Sequence, residues 1–588
     1  MTAGKNKQVI VFVLAWSLLS FVCVRLLPFA FDDAYIHFRI AENFLRFGSP
    51  FFNFNEPVMS TSSPVWTLLL IITKTIISKG SLPNAVAIIN AFLTVSGGFI
   101  WVRIINELME NEFSPKWQLI LGIIYVGIML PSCAGLMEAP LALLLLGSSI
   151  YLIIKKKLAG WVLLVLTLFV RLESVVFFFI FGSAYIFKHP RKAAQFFLIT
   201  AMTFCVIGAI VYFYFGTILP NTMNAKQIVY NISIITVLKH IYNSLFPQKP
   251  LVWGWIIIFL FLATTTLITS RFAKLPDRKH WLWEVSIFSG GSGILMAYIV
   301  KHVFVHEWYQ PLYIVPILFG GLSLCRLSVF GDEKKYLLFG LLSVKPIIHV
   351  LVFLTASFGF MNVLPSAATG ARVQRYLQVG SALYHLFPKQ TLVTSEIGGL
   401  GYSFKGRVED GVGLVTPSAI KYHPLAVPSQ RSSAEIGAIP TGFIEAVRPG
   451  IIVSYPIFVE AFDKSDVCRN GYIKFAIPAI SPKFSAIIGS DNIWGCTELN
   501  IYIRKDIAYP DAMKAMGDWS HHLPGGKVSS KEQIHLKEKR MAGPQRSVCE
   551  FPEHGQDGPF QKELKAAGIV SCQGIMNEVA DYKIVLRT

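Results

Sequence analysis

The chain has 588 residues, of which 53% are hydrophobic and only 15% charged, with a mean hydropathy of +0.53. A soluble globular protein carries about 25% charged residues, and disorder requires low hydrophobicity with high charge. Eight cysteines are too sparse for a disulfide scaffold, so a polytopic membrane protein with chain left over for a soluble domain remains. The net charge of +18 lies largely in short clusters between apolar runs. That is the positive-inside pattern, and it argues against nucleic acid and for anionic lipid or a phosphate-bearing substrate.

The chain opens with Lys5 and Lys7, then an apolar run from Val9 to about Ala30. No small-residue cleavage site closes the run, so it reads as an uncleaved first helix with a cytoplasmic N-terminus. An outside loop follows at 31–63. Within it, Asp33 to Phe47 reads as an amphipathic helix, with Ile36, Ile40, Phe44 and Phe47 on one face. Tyr35, Arg39, Glu42 and Arg46 form the other face, and Gly48 ends the helix. The run 64–79 is short and carries Lys74 and Lys79. If it lies along the membrane surface, the later Lys/Arg clusters all fall inside; if it crosses, they all fall outside. The first assignment is preferred.

Further apolar runs lie at 84–103, 117–133, 140–154, 158–170, 174–187, 194–215, 251–270, 282–300, 311–327 and 336–357. This gives about eleven transmembrane helices within 1–360 and an outside C-terminal region. The runs 158–170 and 174–187 are each too short for a full crossing, which needs about 20 residues. Arg171-Leu172-Glu173 lies between them, so they read as two half-crossings ending at a water-filled cavity. From 365 to 588 the composition becomes that of an α/β or α+β soluble domain. "TLVTSE" (391–396), "IIVSYP" (451–456) and "NIYIRKD" (500–506) read as strands. "GGLG" at 398–401 reads as a turn, and 518–545 as a mobile loop. Cys468–Cys496 is the first disulfide expected in an oxidising compartment.

Asp32 and Asp33 stand at the mouth of the first helix. Adjacent helical residues point about 100° apart, so equal roles are not expected. One carboxylate could serve as general base and the other hold a divalent cation; alternatively, Asp32 simply caps the helix. Glu138 is either a site carboxylate or a first-turn acid favoured by the helix dipole. Arg171 and Glu173 line the cavity or pair with each other. Lys226, after "FGTILPNTMN" with its Asn221, is a phosphate ligand or a snorkelling lysine. Trp308 and Tyr309 are site aromatics or part of an aromatic belt. His302 and His306 have i,i+4 spacing, with no third metal ligand indicated.

The loop "DDAYIHFRIAENFLRFGSPFFNFNEPVMSTSSPVW" resembles the first periplasmic loop of the C-type glycosyltransferase superfamily. It is most similar to the branch that includes the mycobacterial terminal arabinofuranosyltransferase. Ser62-Ser63-Pro64-Val65-Trp66, Gly135 to Pro140, Arg171-Leu172-Glu173, "FGTILPNTMNAK", "EIGGLGY" and "DGVGLVTP" resemble further motifs of that branch. Position 172 carries Leu where the branch has Pro, and 135–140 has one inserted residue. The resemblance implies transfer of a sugar from a polyprenyl-phosphate carrier to a glycan or glycolipid hydroxyl, on the periplasmic side of a bacterial inner membrane and usually with inversion. It makes Asp32 and Asp33 the catalytic carboxylates, with Mg or Mn as the candidate metal. Arg39, Arg171 and Lys226 would meet the leaving phosphate, and Glu138, Glu173 and Asn221 would position sugars, with Tyr35, Trp308 and Tyr309 as further substrate contacts. The C-terminal region would bind carbohydrate. The rival reading is a transporter or flippase of lipid-linked sugars. It would use the same phosphate grip without a base, but would show inverted hydropathy repeats and midplane broken helices in pairs; the sequence has one broken pair and no repeat. A scaffold for envelope assembly gives no reason for the two acids.

Overall fold

The structure is a computed structural model. It describes residues 2–110, 114–229, 234–235, 237–238, 280–303, 305–324, 332–360, 363–364, 367–423, 438–522 and 527–528. Met1–Lys527 form one compact unit. Of the second, Val528–Thr588, only Val528 is described.

The first unit is mostly helical. Five described helical segments are long and apolar enough to cross a membrane: Gln8–Arg25, Leu82–Leu108, Pro115–Ala134, Pro190–Phe215 and Trp281–Val300. The expected count of eleven does not follow from helix length. Ala139–Ile154, Ala159–Leu168 and Lys345–Ser357 are shorter apolar segments, and the run 251–270 lies outside the described residues.

In chain order, α1 spans Thr2–Arg25 and α2 spans Asp32–Phe47. The second helix has the expected amphipathic pattern and ends at Gly48, whose φ of 73° is left-handed. α3 (Pro64–Ile77) is 14 residues long, begins with a proline, and buries Trp66, Leu70 and Ile71 against α2 and α4 (Leu82–Leu108). After α5 (Pro115–Ala134), α6 (Ala139–Ile154) and the turn that leads into it are tied to α4 by buried polar bonds. Asn90 Nδ2 donates to the Met137 carbonyl at 3.0 Å, and Trp101 Nε1 donates to that of Leu143 at 3.0 Å. α7 (Ala159–Leu168) and α8 (Val175–Lys188) are the two short helices expected, joined by a turn at Leu172–Ser174 with Arg171 extended before it. α9 (Ala193–Phe215), α10 (Asn221–Val229), α11 (Trp281–Val300), α12 (Pro311–Leu324) and α13 (Asp332–Ser357) complete the bundle. α5 and α13 approach closely because Gly127 has no Cβ: one there would overlap the Pro346 backbone.

α14 (Ala367–Leu386) leads into the sheet and lies against Leu27–Phe29. Five strands follow: β1 (Leu392–Thr394), β2 (Val408–Asp410), β3 (Ile451–Ser454), β4 (Tyr472–Pro478) and β5 (Glu498–Arg504). Their spatial order is β2-β1-β3-β5-β4, and a sixth, two-residue strand at Lys527–Val528 ends the sheet beside β4. β1 pairs in parallel with β2 and β3, whereas β5 runs antiparallel to β3 and β4. β1, β3 and β5 coincide with the three β-prone stretches read from the sequence. Helices flank this mixed sheet, so the region is α/β.

Three sequence expectations need correction. Gly398-Gly399-Leu400-Gly401 is not an isolated turn but the first turn of α15 (Gly398–Phe404). Cys468 and Cys496 are both thiols and form no disulfide. Cys468 is held in the core beside Phe462 and Tyr472, while Cys496 closes a small hairpin at Ile493. Residues 518–522, assigned to a mobile loop, continue the Pro510–His522 helix; most of 523–545 lies outside the described residues.

Candidate functional site

The two acids at the start of α2 are separated by their surroundings. Phe31 is the extended N-cap, so Asp32 and Asp33 are the first two helical residues. Asp32 caps a helix, but not its own. Its Oδ2 accepts the Gly398 N–H at 2.9 Å and its Oδ1 the Gly399 N–H at 2.8 Å. A carboxylate is the favoured partner for the bare N–H groups at such a helix start. Arg372 and Glu396, which are ion-paired, also lie within electrostatic reach of Asp32.

Asp33 points elsewhere. It is half-buried, and its carboxylate makes no hydrogen bond or ion pair among the described residues. Burial raises its pKa to about 6, Lys226 opposes that shift, and the charges of Asp32 and Glu138 add to it. An acid that loses its proton near neutrality and is not tied up by neighbours is equipped to take a proton from a hydroxyl.

A polar cluster lies within electrostatic reach of Asp33. Lys226, on α10, donates to the Tyr309 hydroxyl at 3.0 Å. Burial alone would lower the lysine pKa, but Tyr309 and Asp33 hold it above the usual value. The Arg171 guanidinium lies over the Tyr309 ring, 4.1 Å from its centre. It bonds Glu138 and Glu173, each at 2.7 Å. The Tyr298 hydroxyl donates to Glu173 at 3.1 Å. The alternatives left open by the sequence thus merge: Arg171 does pair with Glu173, and the pair also belongs to the cluster. Glu138 Oε2 and Arg171 Nε are buried without a hydrogen-bond partner.

His37 extends this cluster and was not anticipated. Its Nδ1 lies 3.2 Å from the Thr61 hydroxyl and 3.4 Å from that of Thr67. Burial lowers its pKa, against the pull of Glu138. Its position was legible in principle, because 33 and 37 share a helix face at i,i+4.

Five expected residues take other duties. Arg39 does not face the cluster. It is buried, its Nε donates to the Phe52 carbonyl at 2.8 Å, and its two amino groups reach Gly401, Gly406 and Asn53. Four of its five N–H groups are taken up in this way. Asn221 gives its amide to the carbonyls of Gly413 and Leu414 at 2.8 and 2.9 Å, tying α10 to the α/β region rather than facing Asp33. Tyr35 is buried between Phe38 and Tyr402, with ring centres 5.4 and 5.5 Å away. Trp308 stacks on His306 at 4.3 Å and packs on Phe31 at 4.7 Å. Asp32 is the fifth, as described. His302 and His306 do not share a helical face, since 302 lies in a turn and 306 precedes the short Glu307–Tyr309 helix.

Asp32 and Asp33 are not equivalent as candidate metal ligands. Both Asp32 oxygens already accept backbone N–H groups. Among the described residues, no three His, Cys, Asp or Glu side chains converge. What the arrangement offers is one available base, one cation opposite it, and a buried carboxylate oxygen with an open bond beside them. Comparisons with protein families, with curated proteins and with solved structures return no match to this chain.

Proposed function

We propose that this protein is a C-type glycosyltransferase of a bacterial inner membrane. It moves a sugar from a polyprenyl-phosphate donor to a hydroxyl of an envelope glycan or glycolipid. The N-terminus is cytoplasmic, and the site and the α/β region are periplasmic, as the Lys/Arg distribution supports. The α/β region, in this reading, grips the glycan acceptor.

The observation that carries the reading is the Asp33 carboxylate, half-buried and not engaged, with Lys226 facing it. The acceptor hydroxyl gives its proton to Asp33 as its oxygen attacks the anomeric carbon. The bond from that carbon to the phosphate oxygen breaks, and the departing polyprenyl phosphate takes the electron pair. Lys226 meets the charge developing there. Arg171, already neutralised by Glu138 and Glu173, holds the frame. The open oxygen of Glu138 accepts a sugar hydroxyl. Attack from the face opposite the phosphate inverts the anomeric centre.

The test compares Asp33→Asn and Asp32→Asn in nanodiscs, with a polyprenyl-phosphate sugar and a glycan acceptor. Asp33→Asn is expected to lose about 10²–10⁴-fold in rate, the usual contribution of a general base, at unchanged expression. Full transfer by that variant would remove the base from the mechanism. Because the base must be ionised, kcat/KM should rise with pH and level off above about 6, the Asp33 value. Divalent-cation chelation should leave the rate unaltered, since no step needs a metal on the two acids; a collapse in EDTA that Mg or Mn restores would contradict this.

A further inference from the structure

α14 turns Arg372, Arg375 and Tyr376 toward the sheet, at the i, i+3, i+4 spacing that shares one helix face. Arg372 is ion-paired with Glu396, which also accepts the Tyr376 hydroxyl at 2.7 Å. Arg375 has no such counter-ion. Its side chain is fully buried, and its single hydrogen bond is a long one, 3.4 Å, from Nη1 to Gln378. Its Nε and Nη2 are buried with no partner. Burial depresses this guanidinium to about 10, a shift that nearby Tyr455 only partly opposes.

The surplus of donors extends beyond Arg375. Arg372 Nε, Trp494 Nε1 and Ser481 Oγ are also buried without partners. The Arg372 guanidinium sits 5.3 Å from the centre of the Trp494 ring. Ser481 starts the Pro482–Ile488 helix, which packs on α14. Three of these four side chains, the two arginines and the indole, can only donate, and buried donors left without an acceptor are costly in the absence of a ligand. They come from separate side chains, and a planar carboxylate offers only two oxygens. A phosphate group offers more, spread tetrahedrally, and is a strong partner for guanidinium N–H groups.

A hairpin brings Trp494 to this cluster. Ile493 and Cys496 form its one bridge, with Trp494 and Gly495 at the tip, both in left-handed conformation at φ 57° and 75°. Gly489, at φ 66°, marks its base. Neither glycine is hemmed in: a Cβ on either would meet nothing within 4 Å.

We propose that Arg372, Arg375, Ser481 and the Trp494 indole form a second, phosphate-binding site on the α14 face of the sheet, with the 489–497 hairpin as its cover. Arg372 also acts electrostatically on Asp33, so the two sites adjoin, but the phosphate site does not depend on the glycosyltransferase reading. The phosphate belongs to a soluble ester or to a lipid head group; the chemistry at the donors is the same.

Calorimetric titration of the full-length protein in detergent with inorganic phosphate tests the site. Lys226→Met serves as the background, so that binding beside Asp33 does not contribute. Arg375→Met and Trp494→Phe should each weaken the saturable binding by roughly 10-fold or more, the factor that 1.4 kcal/mol represents. Trp494→Phe removes one N–H and keeps the packing, so the test survives if Arg375→Met fails to fold. Hydrogen exchange at 489–497 then separates the sources. Slowing by inorganic phosphate assigns a soluble ligand, and slowing only by phosphatidic acid in nanodiscs assigns a head group. Equal phosphate binding by Lys226→Met with and without Trp494→Phe, or no slowing by either phosphate, overturns the proposal.

Discussion

Asp32 and Asp33 share a chemistry and a helix turn, yet their carboxylates meet opposite fates. Asp32 is consumed by two backbone N–H groups, and Asp33 is left with electrostatic neighbours only. Asp32→Asn should therefore act mainly on structure. An amide can supply one acceptor oxygen but sets an N–H₂ against the second N–H, at a cost of about 1–3 kcal/mol for the group left unsatisfied. The expected outcome is a lower unfolding temperature and faster hydrogen exchange at 398–404, with a smaller loss of turnover than Asp33→Asn shows. Arg39→Met should likewise lower stability, by roughly 1–3 kcal/mol, and leave donor KM unchanged. A rise in donor KM without loss of stability would restore Arg39 to the phosphate site. The sequence could show that charges gather in the first loop. It could not show which were spent, because the carbonyls of Gly401 and Gly406 that take up Arg39 are more than 360 residues away.

At the scale of elements, long periodic segments were legible and short ones were not. The amphipathic α2 and the interrupted pair α7–α8 follow from spacing and from the charged triplet between the halves. α15 spans only seven residues and begins with two glycines. Local propensity argues against a helix there, and packing on α14 and the carboxylate of Asp32 override it. β2 is three residues with two acids, Glu409 and Asp410, which β propensity disfavours. β4, "YIKFAIP", ends in proline and has no strict two-residue alternation, so the sequence pattern does not mark it as a strand. Gly398 is where two elements meet most closely, since a Cβ there would overlap the carbonyl and the carboxyl of Asp32. Gly398→Ala should push α2 and α15 apart and displace Asp33 with them, so that turnover falls although no reacting group has changed. Activity equal to wild type would show that the contact is dispensable.

Over the whole molecule, the Asp33 cluster draws on α2, α6, the α7–α8 junction, α10 and the Glu307–Tyr309 turn, while its frame reaches the α/β region through Asp32, Arg39 and Asn221. Composition announced a membrane bundle followed by a mixed domain. It gave no sign that the second would clasp the first at these points. The clasps from Asp32 to Gly399 and from Arg39 to Gly406 each join residues 367 positions apart. A ribosome that has delivered the entire bundle still has Gly398 to make, so the nascent protein carries both acids with nothing yet to hold the first of them. A polypeptide cut short at about 390 should insert into the bilayer and remain inert. On the glycosyltransferase proposal, late arrival of one glycine pair would then act as a safety catch, keeping the activated donor from being spent on water.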